Sequence, residues 1–238
     1  MNSRRRSRAV AGAMLGLGLT LGAVACSPIG IGINAGDGGG AVDGAGMTRI
    51  EAERLSLSEQ FELVGERDAR MHELLAEAQS QISDEPWSWV FYGVIPRMGF
   101  NVWSVPGMNH ENSYFLEVAA ATHPEGARGA AADLAPMIEY FESKEWPYEV
   151  TNEHEFRNSI RADTGEGFIV EWRVQPNGQY NMILTSKSYW GDAKRLLREI
   201  AERIPKGALD IGDAVPGVRP PFPSWADPAI HAPKLLAA

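Results

Sequence analysis

Residues 168–184 leave this chain little conformational choice. Phe168, Val170, Trp172 and Val174 alternate with Ile169, Glu171, Arg173 and Gln175, the period-two pattern of a half-buried strand. Pro176-Asn177-Gly178 follows. Pro suits the first central position of a type I turn, Asn the second, and Gly the left-handed residue after it, which makes a three-residue hairpin loop with a bulge. That loop sets the register: Val174 opposite Tyr180, Trp172 opposite Met182, Val170 opposite Leu184. Any fold of this chain must hold the antiparallel pair and bury its apolar face.

Residues on either side supply the partners. Thr48 with Glu51 predicts a capping box at the start of a helical region over 48–84, in one piece or two. Leu57, Phe61, Val64, Met71, Leu75, Ala78 and Ile82 recur at three and four, with charged residues between them. The polar face mixes Glu with Arg, which fits packing on a core better than lying on a membrane. Strands are expected over 87–92, 100–105, 113–119, around 146–150, and over 156–162. His123-Pro124-Glu125 is expected to open a helix that reaches Lys144, kinked or split at Pro136. A last helix should run from the cap Asp192 to Ile204. The expected class is α+β, an antiparallel sheet of five to seven strands with helices packed on one face.

The ends read differently. Arg4, Arg5, Arg6 and Arg8 precede a small apolar run, Ala9 to Val24, and then Ala23-Val24-Ala25 before Cys26, the only cysteine. This has the three parts of a signal peptide, and the apolar run is too short and glycine-rich to span a bilayer. A small residue before a lone Cys resembles the bacterial lipobox, where the thiol is acylated. Leu is commoner where Ala23 stands. Ser3 to Arg6 resembles a twin-arginine signal, but Ser7 takes the place of the usual hydrophobic residue, so general secretion is the expected route. One cysteine forbids an internal disulfide. The glycine-rich stretch that follows reads as a flexible tether. Gly30-Ile31-Gly32-Ile33-Asn34-Ala35 fits a dinucleotide fingerprint in letters only, since no strand precedes it and no helix follows. After Gly207 come Pro216, Pro220, Pro221, Pro223, Pro228 and Pro233, an extended or irregular end that Phe222 and Trp225 could pin back. The expected organisation is signal peptide 1–25, lipidated cysteine and tether 26–47, domain 48–205 and proline-rich tail 206–238.

Charge narrows the partners. The chain carries 22 basic and 31 acidic residues, a formal −9. Without residues 1–25 the balance is 18 to 31, or −13. That excludes a nucleic-acid footprint, which needs clustered Lys and Arg. No G-x-S-x-G elbow, S-x-x-K motif or phosphate loop occurs, and no H-E-x-x-H. Glu153-His154-Glu155 would put its acids and its His on opposite faces of a strand, and His110-Glu111 is a loop pair, so neither predicts a metal site. No catalytic residue or cofactor is expected. Of seven tryptophans, Trp87, Trp89 and Trp172 should pack in the core. Trp103 and Trp190, at element ends, are the candidates for exposure and ligand binding.

From Met71 to Pro223 the order of features resembles the mycobacterial and actinobacterial LppA-like lipoproteins. The features are an amphipathic helix before a Trp-containing strand, a central helix, and Gly165-Glu166-Gly167-Phe168 opening a strand. The Tyr180–Thr185 strand with Gly191-Asp192 beyond it, and Pro220-Pro221 with Trp225, complete the set. Members of that family carry further cysteines after the lipidated one; this chain has none. The resemblance implies an envelope lipoprotein and transfers no catalytic residues. The resulting expectation is an exported protein on the outer face of the cell membrane, anchored through Cys26. Its domain is expected to be a non-enzymatic envelope module binding lipid, glycan or protein, with a hydrolase of envelope polymer as the alternative.

Overall fold

A computed structural model describes residues 40–153, 157–209 and 212–230. Residues 1–39, which include the expected signal peptide, Cys26 and most of the expected tether, lie outside it. Helix α1 (Arg49–Arg54) opens with the Thr48–Glu51 capping box. A second box, Ser56 with Glu59, opens α2 (Leu57–Ser80). Two boxes eight residues apart explain why the 48–84 region forms two helices: each satisfies the free N–H groups of a new helix start, and Leu55 turns extended between them. One stripe of α2 is buried, including Phe61, Val64, Met71, Leu74 and Leu75.

Six strands form an antiparallel sheet: β1 (Ser88–Phe91), β4 (Glu117–Thr122), β5 (Tyr148–Glu153), β6 (Arg157–Asp163), β7 (Phe168–Val174) and β8 (Tyr180–Ser186), in the order β1-β4-β8-β7-β6-β5. β7 and β8 pair with Val174 opposite Tyr180, Trp172 opposite Met182 and Val170 opposite Leu184, the register the hairpin loop dictates. These six side chains, with Ile160, Ala162, Val118 and Ala120, point to one face and join the α2 stripe in a single core. Helices α3 (Ala135–Ser143) and α4 (Ala193–Arg203) complete that layer, α3 against β6 and α4 against α2. The other face carries ion pairs: Arg161 with Glu149 across β5 and β6, Arg97 with Glu117 (2.7 Å) and Lys187 with Asp163 (2.8 Å). The molecule is α+β with helices on one side of an antiparallel sheet. A second sheet, β2 (Arg97–Met98), β3 (Ser113–Phe115) and β9 (Tyr189–Trp190), adds three short strands.

Several elements differ from expectation. Residues 100–105 are a loop. The 113–119 run divides between two sheets at Leu116, whose N–H donates to Ser186 Oγ (2.8 Å) and whose carbonyl accepts from Ser186 N (2.8 Å). No helix starts at His123. The chain stays irregular to a 3-10 turn at Ala131–Leu134, and Pro136 lies in the first turn of α3, where its missing N–H costs nothing.

Both arms of the domain are packed, against the expected boundaries. Residues 41–47, assigned to the tether, dock on β9. Gly44 N donates to Ser188 O (3.0 Å), Trp190 N to Asp43 Oδ2 (3.1 Å) and the Trp190 indole to Ala41 O (3.3 Å). Residues 212–230, assigned to the tail, fold back. Ala214 bridges Trp87, Arg219 reaches Asp68 (2.5 Å), and Phe222 and Trp225 each set an edge against Phe61 at 5.4 Å. The domain therefore runs to at least 230 and begins by 41, not 48–205.

Candidate functional site

Trp190 ends β9 at 5% exposure, so the expected exposed tryptophan is buried; the arm at Ala41 and Asp43 covers it. It still forms a wall of two open clefts, of about 420 and 500 Å³, which meet at Trp190 and Arg49. The first is lined by Glu53, Leu55, Leu57, Glu111, Asp192 and Arg195, among others. The second is lined by Ile50, Arg54, Pro106, Gly107 and the arm residues Gly40 and Ala41.

Local bonds explain why these residues converge. Gln60 is buried beneath the α1–α2 corner. Its amide donates to Ala52 O (3.3 Å) and Leu55 O (3.1 Å), and its carbonyl oxygen accepts from Asp192 N (2.9 Å). One side chain thus ties α1, α2 and the start of α4. The 109–112 loop is held by its own asparagines: Asn109 Oδ1 accepts from Glu111 N (2.8 Å), and Asn112 donates to Gly107 O (3.0 Å). Gly191 N and Ala193 N then bond Asn112 O and Glu111 O, which brings Glu111 beside Asp192. A side chain at Gly191 would sit 3.0 Å from the Tyr114 ring and 3.2 Å from Gln60, so only glycine fits there without displacement.

Tyr189, the neighbour of Trp190 in β9, belongs to a buried aromatic–guanidinium stack that lines neither cleft. Arg67 of α2 lies 3.9 Å from the Tyr189 ring centroid and donates to Tyr114 Oη. Burial alone would lower the Arg67 pKa; the facing Tyr114, Tyr189 and Asp43 reverse this and raise it. Burial pushes both tyrosines up, so they stay neutral and pack as rings. The buried stack thus keeps its guanidinium charged and holds β3, β9 and α2 together. At the rim, Arg49 pairs with Glu53 (2.6 Å) and Arg195 approaches Asp192 (3.7 Å). Guanidinium groups beside Leu55, Leu57, Ile50 and Pro106 suit a ligand that joins an anionic or hydroxylated group to an apolar body.

The remaining candidates are dispersed. Trp103 is half-buried in the 99–112 loop with Arg161 5.8 Å from its ring, and it lines neither cleft beside Trp190. Trp87 and Trp172 are core residues and Trp89 is half-buried. His154 and Glu155 lie outside the described residues, His72 is buried, and His110 stacks on Phe100 at 5.7 Å. Among the described residues no three metal-ligating side chains converge. A smaller cleft of about 320 Å³ lies by Tyr180, whose hydroxyl donates to Asp133 and accepts from Gly129 N (2.8 Å). Sequence reasoning missed Asp43, Arg49 and Arg195. Asp43-Gly44-Ala45-Gly46 did carry a signal, an Asx turn in which Asp43 Oδ1 accepts from Ala45 N (2.8 Å) and Met47 N (3.0 Å). Among the described residues no helix is long and apolar enough to cross a membrane. Comparison with protein-family models, curated proteins and solved structures returns no match, so the site is read from its own chemistry.

Proposed function

We propose that this chain is an exported lipoprotein of the LppA-like kind, held on the outer face of the cell membrane by acylated Cys26. In this reading its folded domain is a non-enzymatic module that binds a lipid, glycan or protein of the envelope. The signal-like residues 1–25 before a lone Cys26 support the address. The observation that carries the binding role is the place of the two clefts. They open where the chain arrives from Cys26, beside the docked arm, and line guanidinium groups with apolar side chains. An envelope amphiphile offers the matching chemistry. Hydrolysis of an envelope polymer is the second reading, favoured by the carboxylates Glu53, Glu111 and Asp192 along one cleft.

Two measurements test this. Cys26→Ala should remove the protein from the membrane fraction or leave the signal uncleaved; unchanged fractionation and mass would refute the anchor. Mass spectra of the intact protein from envelopes, native against denaturing, should show a bound species that Arg49→Glu with Arg195→Glu removes. A species retained by that variant would move the ligand elsewhere. Turnover of envelope polymer that disappears in Glu111→Gln would establish the hydrolase instead.

A further inference from the structure

The loop after β2 turns its polar groups inward. Asn101 donates from its side chain to Ser186 O (2.8 Å), accepts from Trp103 N (3.0 Å), and donates from its backbone to Ser104 Oγ (2.8 Å). Ser104 Oγ lies 2.6 Å from Ser188 Oγ, and Gly99 N donates to Ser113 O (2.8 Å). Gly99 has φ +103°, and a side chain there would meet His110 at 2.5 Å. A loop pinned at both ends and in its middle has fixed side-chain directions. What it turns outward is apolar: Phe100 is 58% exposed and Val102 85%. Single exposed apolar residues are ordinary. Two large ones held outward by a bonded loop mark a contact surface, because each forgoes burial worth about 1.5–3 kcal/mol.

The same short stretch of chain also receives the N-terminal arm. Ser186 and Ser188 hold Asn101 and Ser104, and Ser188 O accepts from Gly44 N. The segment leading from Cys26 therefore enters the domain where the loop is pinned. Fourteen peptide links separate Cys26 from Gly40, a reach of at most about 50 Å. The arm and first helix add Val42, 49% exposed, and Ile50, 60%. Arg49 and Arg54 stand beside Ile50, where long cationic side chains can reach headgroups while their stems lie on apolar surface.

We infer that Phe100 and Val102, with Val42 and Ile50, are the surface by which the domain rests on a lipid bilayer, seated at the headgroup–acyl boundary. This rests on the proposed anchor, which places a bilayer within reach and no other partner so constantly. Tethering raises the local concentration of lipid at this end of the domain, so a small apolar contact suffices to hold its orientation.

Acylated Cys26 leaves the chain without a free thiol, which makes the test clean. The full chain is prepared with Val102→Cys or Glu125→Cys, labelled with bimane and reconstituted into phosphatidylglycerol–phosphatidylethanolamine vesicles. Glu125 follows Thr122, which pairs with Tyr180 at the opposite end of β8 from Ser186. Emission at 102 should shift to the blue and be lost to a doxyl-lipid quencher, while emission at 125 stays open to aqueous iodide. Phe100→Asp with Ile50→Asp should restore iodide access at 102. Equal iodide access at both positions overturns the inference. So does shielding at 102 that occurs in whole envelopes and not in protein-free vesicles, which would make a protein the occupant. Uptake of bimane by the wild-type chain, measured before any vesicle is added, overturns the anchor instead.

Discussion

Asp68 shows how much one side chain can require of a distant one. Its carboxylate is wholly buried in α2; Oδ2 accepts from Arg219, and Oδ1 makes no hydrogen bond and lies 3.4 Å from His72 Nδ1. Both His72 nitrogens already face backbone carbonyls, of Asp68 (2.9 Å) and Tyr92 (3.0 Å). Removing the guanidinium leaves a desolvated charge, so Arg219→Ala should cost about 3 kcal/mol in urea unfolding. Asp68→Asn in the Arg219→Ala background should recover much of that loss, because it removes the charge as well. Glu77 gives a pH prediction. The hydrogen bond from Lys144 (2.8 Å) holds its carboxyl below the usual range, more than burial raises it, and Tyr140 donates as well (3.2 Å). A depressed carboxylate contributes stability above its unfolded pKa, and that contribution disappears as pH falls through the folded value. The Tm gap between wild type and Glu77→Gln should therefore be present at neutral pH and close in acid, below the usual Glu range.

At the level of elements, the two capping boxes decide where helix begins. Ser56→Ala removes the acceptor for Glu59 N and should cost about 1 kcal/mol, read by thermal unfolding. Elements whose signals are local were legible in the sequence. The β7–β8 hairpin follows from Pro176-Asn177-Gly178 and alternation, and α4 from Asp192, which accepts from Arg195 N (3.2 Å). Elements decided by distant contacts were not. Phe100 and Val102 looked like a strand face because apolar residues were read as buried ones; here they are turned outward by Asn101. The 113–119 run is cut by Ser186, whose side chain and backbone bond Leu116 from 70 residues away. Trp190 looked free because the arm that covers it reads as tether, and Asp43 meets it from 147 residues away. The clefts are built from four separated stretches, 40–41, 48–60, 106–112 and 190–195, so among their residues only Trp190 stands out from sequence as a ligand-binding candidate.

Across the whole molecule, the C-terminal arm closes what α2 begins. Phe222 and Trp225 flank Phe61, and Arg203 lies 4.7 Å from the Trp225 ring centroid. Gly65 leaves room for the Phe222 ring, which would lie 3.0 Å from a Cβ there. Phe222→Ala with Trp225→Ala should cost about 3 kcal/mol and speed hydrogen exchange in α2 around Phe61, read by mass spectrometry. The same arm has a consequence for the order of events. Asp68 and Arg219 stand 151 residues apart, and closing so long a loop is slow because its entropy is lost before the contact forms. The helix that carries the core stripe is among the first parts of the domain to be synthesised, and the residues that seal it are among the last. Until they arrive, Phe61 and Asp68 wait without their partners, and the chain remains a substrate for holdases and proteases.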